Sequence, residues 1–161
     1  VRWELAYTRT KDRDGDDPEI KNSFFYGVVG VERMFLDNLN VNVQLYSRYV
    51  SKYHHTSNLA DPIVRGIAAQ SAISSNQAKR NEYGVTTRIS KKWWNDALEA
   101  EFAAVYSLNP DGYLLRPKLT YAFTDHFKGI VGAEYFGGDD ASFFGSLRDN
   151  RAVFAEVSYW F

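Results

Sequence analysis

A two-residue period in hydrophobicity, repeated eight times along 161 residues, is the feature that most restricts how this chain can fold. It is clearest in the segment Arg151–Phe161. There Val153, Ala155, Val157, Tyr159 and Phe161 alternate with Ala152, Phe154, Glu156, Ser158 and Trp160. On a strand these two sets face opposite sides. The same division recurs in seven earlier segments, 1–8, 25–35, 39–49, 83–94, 98–108, 113–123 and 127–136. A helix, which repeats roughly every 3.6 residues, would mix the two sets. The chain therefore reads as all-β, with eight antiparallel strands in up-and-down order.

One parity is nearly free of charge and holds only Arg33 and Lys91. The other carries Arg2, Glu4, Glu32, Arg48, Arg88, Lys92, Glu99, Glu101, Arg116, Lys118, Lys128, Glu134 and Glu156. A soluble sandwich also alternates, but its apolar face must meet a second sheet. A transmembrane β-barrel turns its apolar face to lipid and its polar face inward. That reading makes the thirteen charged positions lumen-facing. Six acids among seven bases would mostly pair; unpaired, Arg116, Lys118 and Lys128 would instead make a basic patch that attracts anions.

Composition agrees with this reading. A mean hydropathy of −0.41 looks soluble, and no apolar run of about 20 residues exists for a membrane helix. A barrel averages two unlike faces, so its mean conceals the apolar one. The 4 Trp, 11 Tyr and 11 Phe exclude disorder, and zero Cys excludes a disulfide scaffold or Cys-ligated metal. A net charge of −1 argues against a nucleic-acid partner.

Loop length sorts by side. Leu36-Asp37-Asn38, Asn95-Asp96-Ala97 and Thr124-Asp125-His126 are short, whereas 9–23, 53–82 and 137–150 are long. Asn109-Pro110-Asp111-Gly112 is the one tight turn on the long side. Short periplasmic turns opposite longer extracellular loops are expected of outer-membrane barrels. With the last strand ending at the periplasm, Trp3, Phe35, Trp93, Phe123, Phe127 and Phe161 form one expected aromatic belt. Tyr7, Phe25, Tyr49, Tyr83, Tyr106, Tyr113 and Tyr135 form the other. Arg33 and Lys91 fall near the periplasmic end, where long side chains reach phosphates.

The ending Val153-x-Ala155-x-Val157-x-Tyr159-x-Phe161 resembles the C-terminal signature of Gram-negative outer-membrane β-barrel proteins, and residues 144–161 look like the last loop and strand of porin-like members. The resemblance implies a bacterial outer-membrane location. It also implies recognition of Val157, Tyr159 and Phe161 by the barrel-assembly machinery, and lipid and lipopolysaccharide as surroundings. Alternation already runs at Val1, which leaves two readings open: a complete eight-stranded barrel, or the C-terminal part of a larger porin.

The remaining candidates lie in loops. Asp61-Pro62 reads as a helix start leading into Ile63, Val64, Ile67 and Ala68, a short helix that would either constrict the barrel mouth or lie in a mobile loop. Asp12, Asp14, Asp16 and Asp17 around Gly15 look like a loose cation site but fail the EF-hand spacing, so a solvated acidic loop is expected. His54 and His55 are adjacent and make a poor metal pair. Ser142, Ser146 and His54 are the residues an outer-rim hydrolase would use, with no spacing that singles them out. The loop 9–22 and the Phe143-Phe144 tip would be the contacts of an adhesive barrel. The expected function is porin-like passive diffusion of small solutes, filtered by the inward charges, without catalysis, metal or cofactor. The alternative is a small, non-conducting barrel with a structural, adhesive or lipid-binding role. Solute identity and oligomeric state are not legible.

Overall fold

In the computed structural model, residues 1–12, 14–15, 17, 20–35 and 38–161 are described. Eight strands form one sheet: β1 (Arg2–Thr8), β2 (Phe24–Phe35), β3 (Leu39–Val50), β4 (Asn81–Trp93), β5 (Leu98–Asn109), β6 (Asp111–Thr124), β7 (Phe127–Gly138) and β8 (Ala152–Tyr159). Each strand pairs antiparallel with its neighbours in sequence, in the order β1 to β8. The period-two segments and the strands coincide to within about two residues, because alternate burial selects the register. The sheet is open. β1 and β8 are its two ends and do not pair with each other, so of the two readings the sequence leaves open, closure by these eight strands alone is not what the structure shows.

Turn chemistry fits the short connections. Trp94, Asn95 and Asp96 adopt φ of 54°, 55° and 68° between β4 and β5, a left-handed stretch that Asn and Asp accept most readily. Asn38, at φ 58°, ends the β2–β3 connection, whose Leu36 and Asp37 lie outside the described residues. Only Pro110 separates β5 from β6, a tighter link than the four-residue turn expected.

The sheet is inside-out. On the apolar face Leu45 is 57% exposed and Val131 51%, and no helix or second sheet covers them among the described residues. On the polar face Tyr46, Glu82 and Ser107 are buried. Among the described residues the fully buried side chains are Val50 and Ser142, both at the long-loop end. The apolar residues thus form no interior of their own, which is the reverse of a soluble sandwich.

Cross-strand register tests the aromatic belts. Tyr7, Phe25 and Tyr49 lie side by side on β1, β2 and β3, and Tyr106 pairs with Tyr113. At the short-turn end Phe123 packs edge to face with Tyr121 and tilted against Phe127, at 4.8 and 5.0 Å between ring centres. Trp3 departs from expectation. It pairs with Val29, mid-strand on β2 and six residues short of Phe35, so it sits at mid-height rather than in the lower belt.

Gly84 marks where backbone and ring come close. It follows a register shift between β4 and β5, and a methyl there would strike the Tyr106 carbonyl and come within 2.6 Å of the Tyr46 hydroxyl. Gly84→Ala is expected to cost about 1–3 kcal/mol by overpacking, read as a shifted denaturant midpoint.

Candidate functional site

The polar face gathers the charged residues that the sequence assigned to one parity. Glu101 on β5 is its hub. Its carboxylate accepts from Arg88 Nε on β4 at 2.8 Å, pairs also with Arg88 Nη2, and lies 3.0 Å from Lys118 Nζ on β6. Register explains the cluster: Lys118 stands opposite Glu101, and Glu101 opposite Ser90, two residues from Arg88. Arg116 on β6 pairs with Glu134 on β7 at 3.1 Å. The pairing expected of these charges is seen for two of the three cations that, unpaired, would make a basic patch. Lys118 and Arg116 go to carboxylates, and Lys128 lies over the Trp160 ring at 5.0 Å.

The other polar-face charges are more open. Lys92 reaches Asp96 at 3.9 Å. Glu32 accepts from Asn40 at 3.1 Å, and Glu156 from the Ser158 hydroxyl at 3.0 Å. Arg2, Glu4 and Glu99 form no ion pair among the described residues. Arg33 and Lys91, on the apolar face, lie over the rings of Phe35 and Trp93 at 5.2 and 5.5 Å.

Near the long-loop end Arg48, one of the polar-face charges read from the sequence, forms a largely buried pair with Glu82, which the sequence reading leaves in the loop. Arg48 on β3 donates to Glu82 at 2.6 Å and to the Asn76 carbonyl at 2.9 Å. Its guanidinium lies over Phe24 and Tyr26 at 5.2 and 5.4 Å. Glu82 was assigned to the loop because the alternation looked complete at Tyr83. Its parity with Gly84, Thr86 and Arg88 was the available signal.

This pair anchors a cover of loops. The segment after β3 carries a 3-10 turn (Thr56–Asn58) and helix α1 (Pro62–Ser74), longer than the expected run to Ala68. Asp61 caps α1 as expected, accepting from the Ile63 and Val64 amides. Gln77 is buried and exchanges two 2.8 Å hydrogen bonds with the Asn22 main chain, clipping the β3–β4 loop to the β1–β2 loop. The Tyr53 hydroxyl donates to the Ala78 carbonyl at 2.7 Å, and burial pushes that phenol up. Helix α2 (Phe143–Ser146) is seated by Ser142 against Gly112, a polar-face position, and α1 touches α2. Loops from β3–β4 and β7–β8 thus meet over the polar face.

The loop candidates resolve as local structure. The Ser142 hydroxyl donates to the Asp139 carbonyl and accepts from the Gly145 amide, and Ser146 donates to the Phe143 carbonyl. No hydrogen bond joins either serine to His54 among the described residues. Asp12 accepts from the amides of Asp14, Gly15 and Asp17, and Asp14 pairs with Lys52 at 3.0 Å. Asp16 lies outside the described residues. Val157, Tyr159 and Phe161 share the apolar face, with Tyr159 and Phe161 edge to face at 5.4 Å.

The fold and this face define an all-β protein built on an open, up-and-down antiparallel sheet whose polar side holds the ion pairs. Comparison with protein-family models, curated proteins and solved structures gave no match to the chain.

Proposed function

We propose that this chain forms wall of a porin-like channel in a bacterial outer membrane, passing small solutes by diffusion without catalysis, metal or cofactor. The single observation that carries the reading is the inside-out sheet, with bare aliphatic residues on one face and ion pairs on the other. Water would be the wrong solvent for the first face, and hydrocarbon the wrong solvent for the second. The aromatic rings at both strand ends and the cations held over Phe35 and Trp93 suit two headgroup zones. In this reading Phe161 and Tyr159 address the assembly machinery, and the long loops face lipopolysaccharide.

Polar-face charge would filter solutes by sign. Glu101 pairs with two cations at once, so Glu101→Gln should release Arg88 and Lys118, raise the local positive charge and shift selectivity toward anions. The expected result in planar bilayers is a stable open-channel current whose reversal potential in a salt gradient moves toward the chloride value in the variant. A folded, inserted, electrically silent protein would overturn the channel and favour a structural, adhesive or lipid-binding barrel.

A further inference from the structure

The polar face divides into two unlike halves. From β4 to β7 it is ionic, with Glu101 holding Arg88 and Lys118, and Glu134 holding Arg116. Along β3 it is neutral. Asn40, Asn42 and Gln44 are successive polar-face residues of that strand, three amides in a row. Ser90 and Thr86 on β4 stand opposite the first and the last of them. We infer that this amide ladder is the solute-binding track of the channel, and that it takes uncharged, hydroxyl-rich solutes such as sugars and polyols. The inference rests on the channel reading above and names its solute class.

Hydrogen-bonding capacity is the first argument. An amide side chain offers two donors and a carbonyl acceptor. Asn40 gives one donor to Glu32 at 3.1 Å. Asn42, Gln44, Thr86 and Ser90 make no side-chain hydrogen bond among the described residues. All are half-buried, and they line a groove of about 560 Å³ between β2 and β4. Gly30, opposite Gln44, leaves room for its stem, since a methyl there would come within 2.7 Å of Gln44 Cγ. From Asn40 to Gln44 the strand advances four residues, or about 13 Å, from the short-turn end toward mid-strand. The rungs therefore follow the path a solute would take.

Charge points the same way. The groove is lined by two acids and two bases, and each is already engaged: Glu32 accepts from Asn40, Arg88 goes to Glu101, and Lys92 reaches Asp96 at 3.9 Å. An entering ion finds no free counter-charge to offset its lost hydration. A hydroxyl donates and accepts at once, so it exchanges water for an amide without that cost. A site built of such bonds also rejects analogues that lack the hydroxyls.

Planar bilayers carrying the inserted protein are exposed to glucose, to gluconate, and to tetraethylene glycol. Gluconate is an anion of nearly the same size, and the glycol is neutral but poor in hydroxyls. Block of the ionic current is read against concentration. Saturable block by glucose is expected, several-fold stronger than by either of the others. Asn42→Leu with Gln44→Met keeps side-chain size and removes the amides. It should raise the half-blocking glucose concentration roughly tenfold, about what two neutral hydrogen bonds contribute. Thr120→Val, on the same face but in the ionic half, should leave that concentration unchanged. Should the double variant not insert, Gln44→Met alone carries the test, with a rise of about threefold. Gluconate blocking as strongly as glucose, or glucose block unaltered in the amide variants, would overturn the inference and leave the channel standing. Inserted protein that carries no current would overturn the channel reading and the inference with it.

Discussion

Leu45→Arg is expected to destabilise the protein in phospholipid bilayers by about 2–4 kcal/mol, the cost of a guanidinium near the midplane of a barrel's lipid face. Leu45 lies in mid-β3, flanked across the sheet by Val29 and Val85, and is 57% exposed. No protein group stands ready to pair with a charge in that row. Asn42→Arg, three residues away on the opposite face, would stand between Glu32 on one flank and Arg88 on the other, an unlike and a like charge, and should change stability by less than about 1 kcal/mol. Equilibrium unfolding from vesicles, followed by tryptophan fluorescence, separates the two variants. Equal small effects would mean that the apolar face does not sit in hydrocarbon. The comparison is informative because in water the same substitution would be close to neutral: a side chain 57% exposed in the fold is exposed in the unfolded chain as well.

Glu82→Ala should cost about 3–5 kcal/mol, because it strands the Arg48 guanidinium in a buried site. Side-chain exposures of 18% for Arg48 and 11% for Glu82 leave little water to compensate. The Phe24 and Tyr26 rings and the Asn76 carbonyl would remain, but none carries a full negative charge. The joint replacement Arg48→Met with Glu82→Leu should recover much of the loss, since well-packed apolar groups often substitute for a buried ion pair. A double-mutant cycle in the same unfolding assay gives the coupling. Additive single effects would show that the two residues do not act as a pair. Because Arg48 also holds Asn76, the single variant is expected to loosen the β3–β4 loop first, seen as faster amide exchange at Gln77.

The strands were legible because each carries its own period. Val153 to Phe161 needs no partner to show which side is apolar, and the face assignments of Glu101, Arg116 and Lys118 followed from the same alternation. What sequence could not supply was anything set by register between strands. Glu101 meets both Arg88 and Lys118 because β4, β5 and β6 align as they do, and no local pattern encodes that alignment. Trp3 was misplaced in height for the same reason, since its level depends on pairing with Val29. Glu82 was lost at a boundary, where a long loop masked the first inward residue of β4. Helix α1 announced its start through Asp61 and Pro62, but its end at Ser74 lacks the glycine stop that sequence reading relies on.

The aromatic rings at the two strand ends act as a ruler. From Tyr83 to Trp93 on β4 the chain advances ten residues, or about 33 Å along the strand. On the proposed membrane-spanning reading, a barrel tilt of roughly 40° turns this into about 25 Å of membrane depth. That reading matches the protein to a thin bilayer, and a thicker one would have to compress around it or expose its rings to acyl chains. Lipid chain length, as well as any targeting signal, would then sort this protein among membranes.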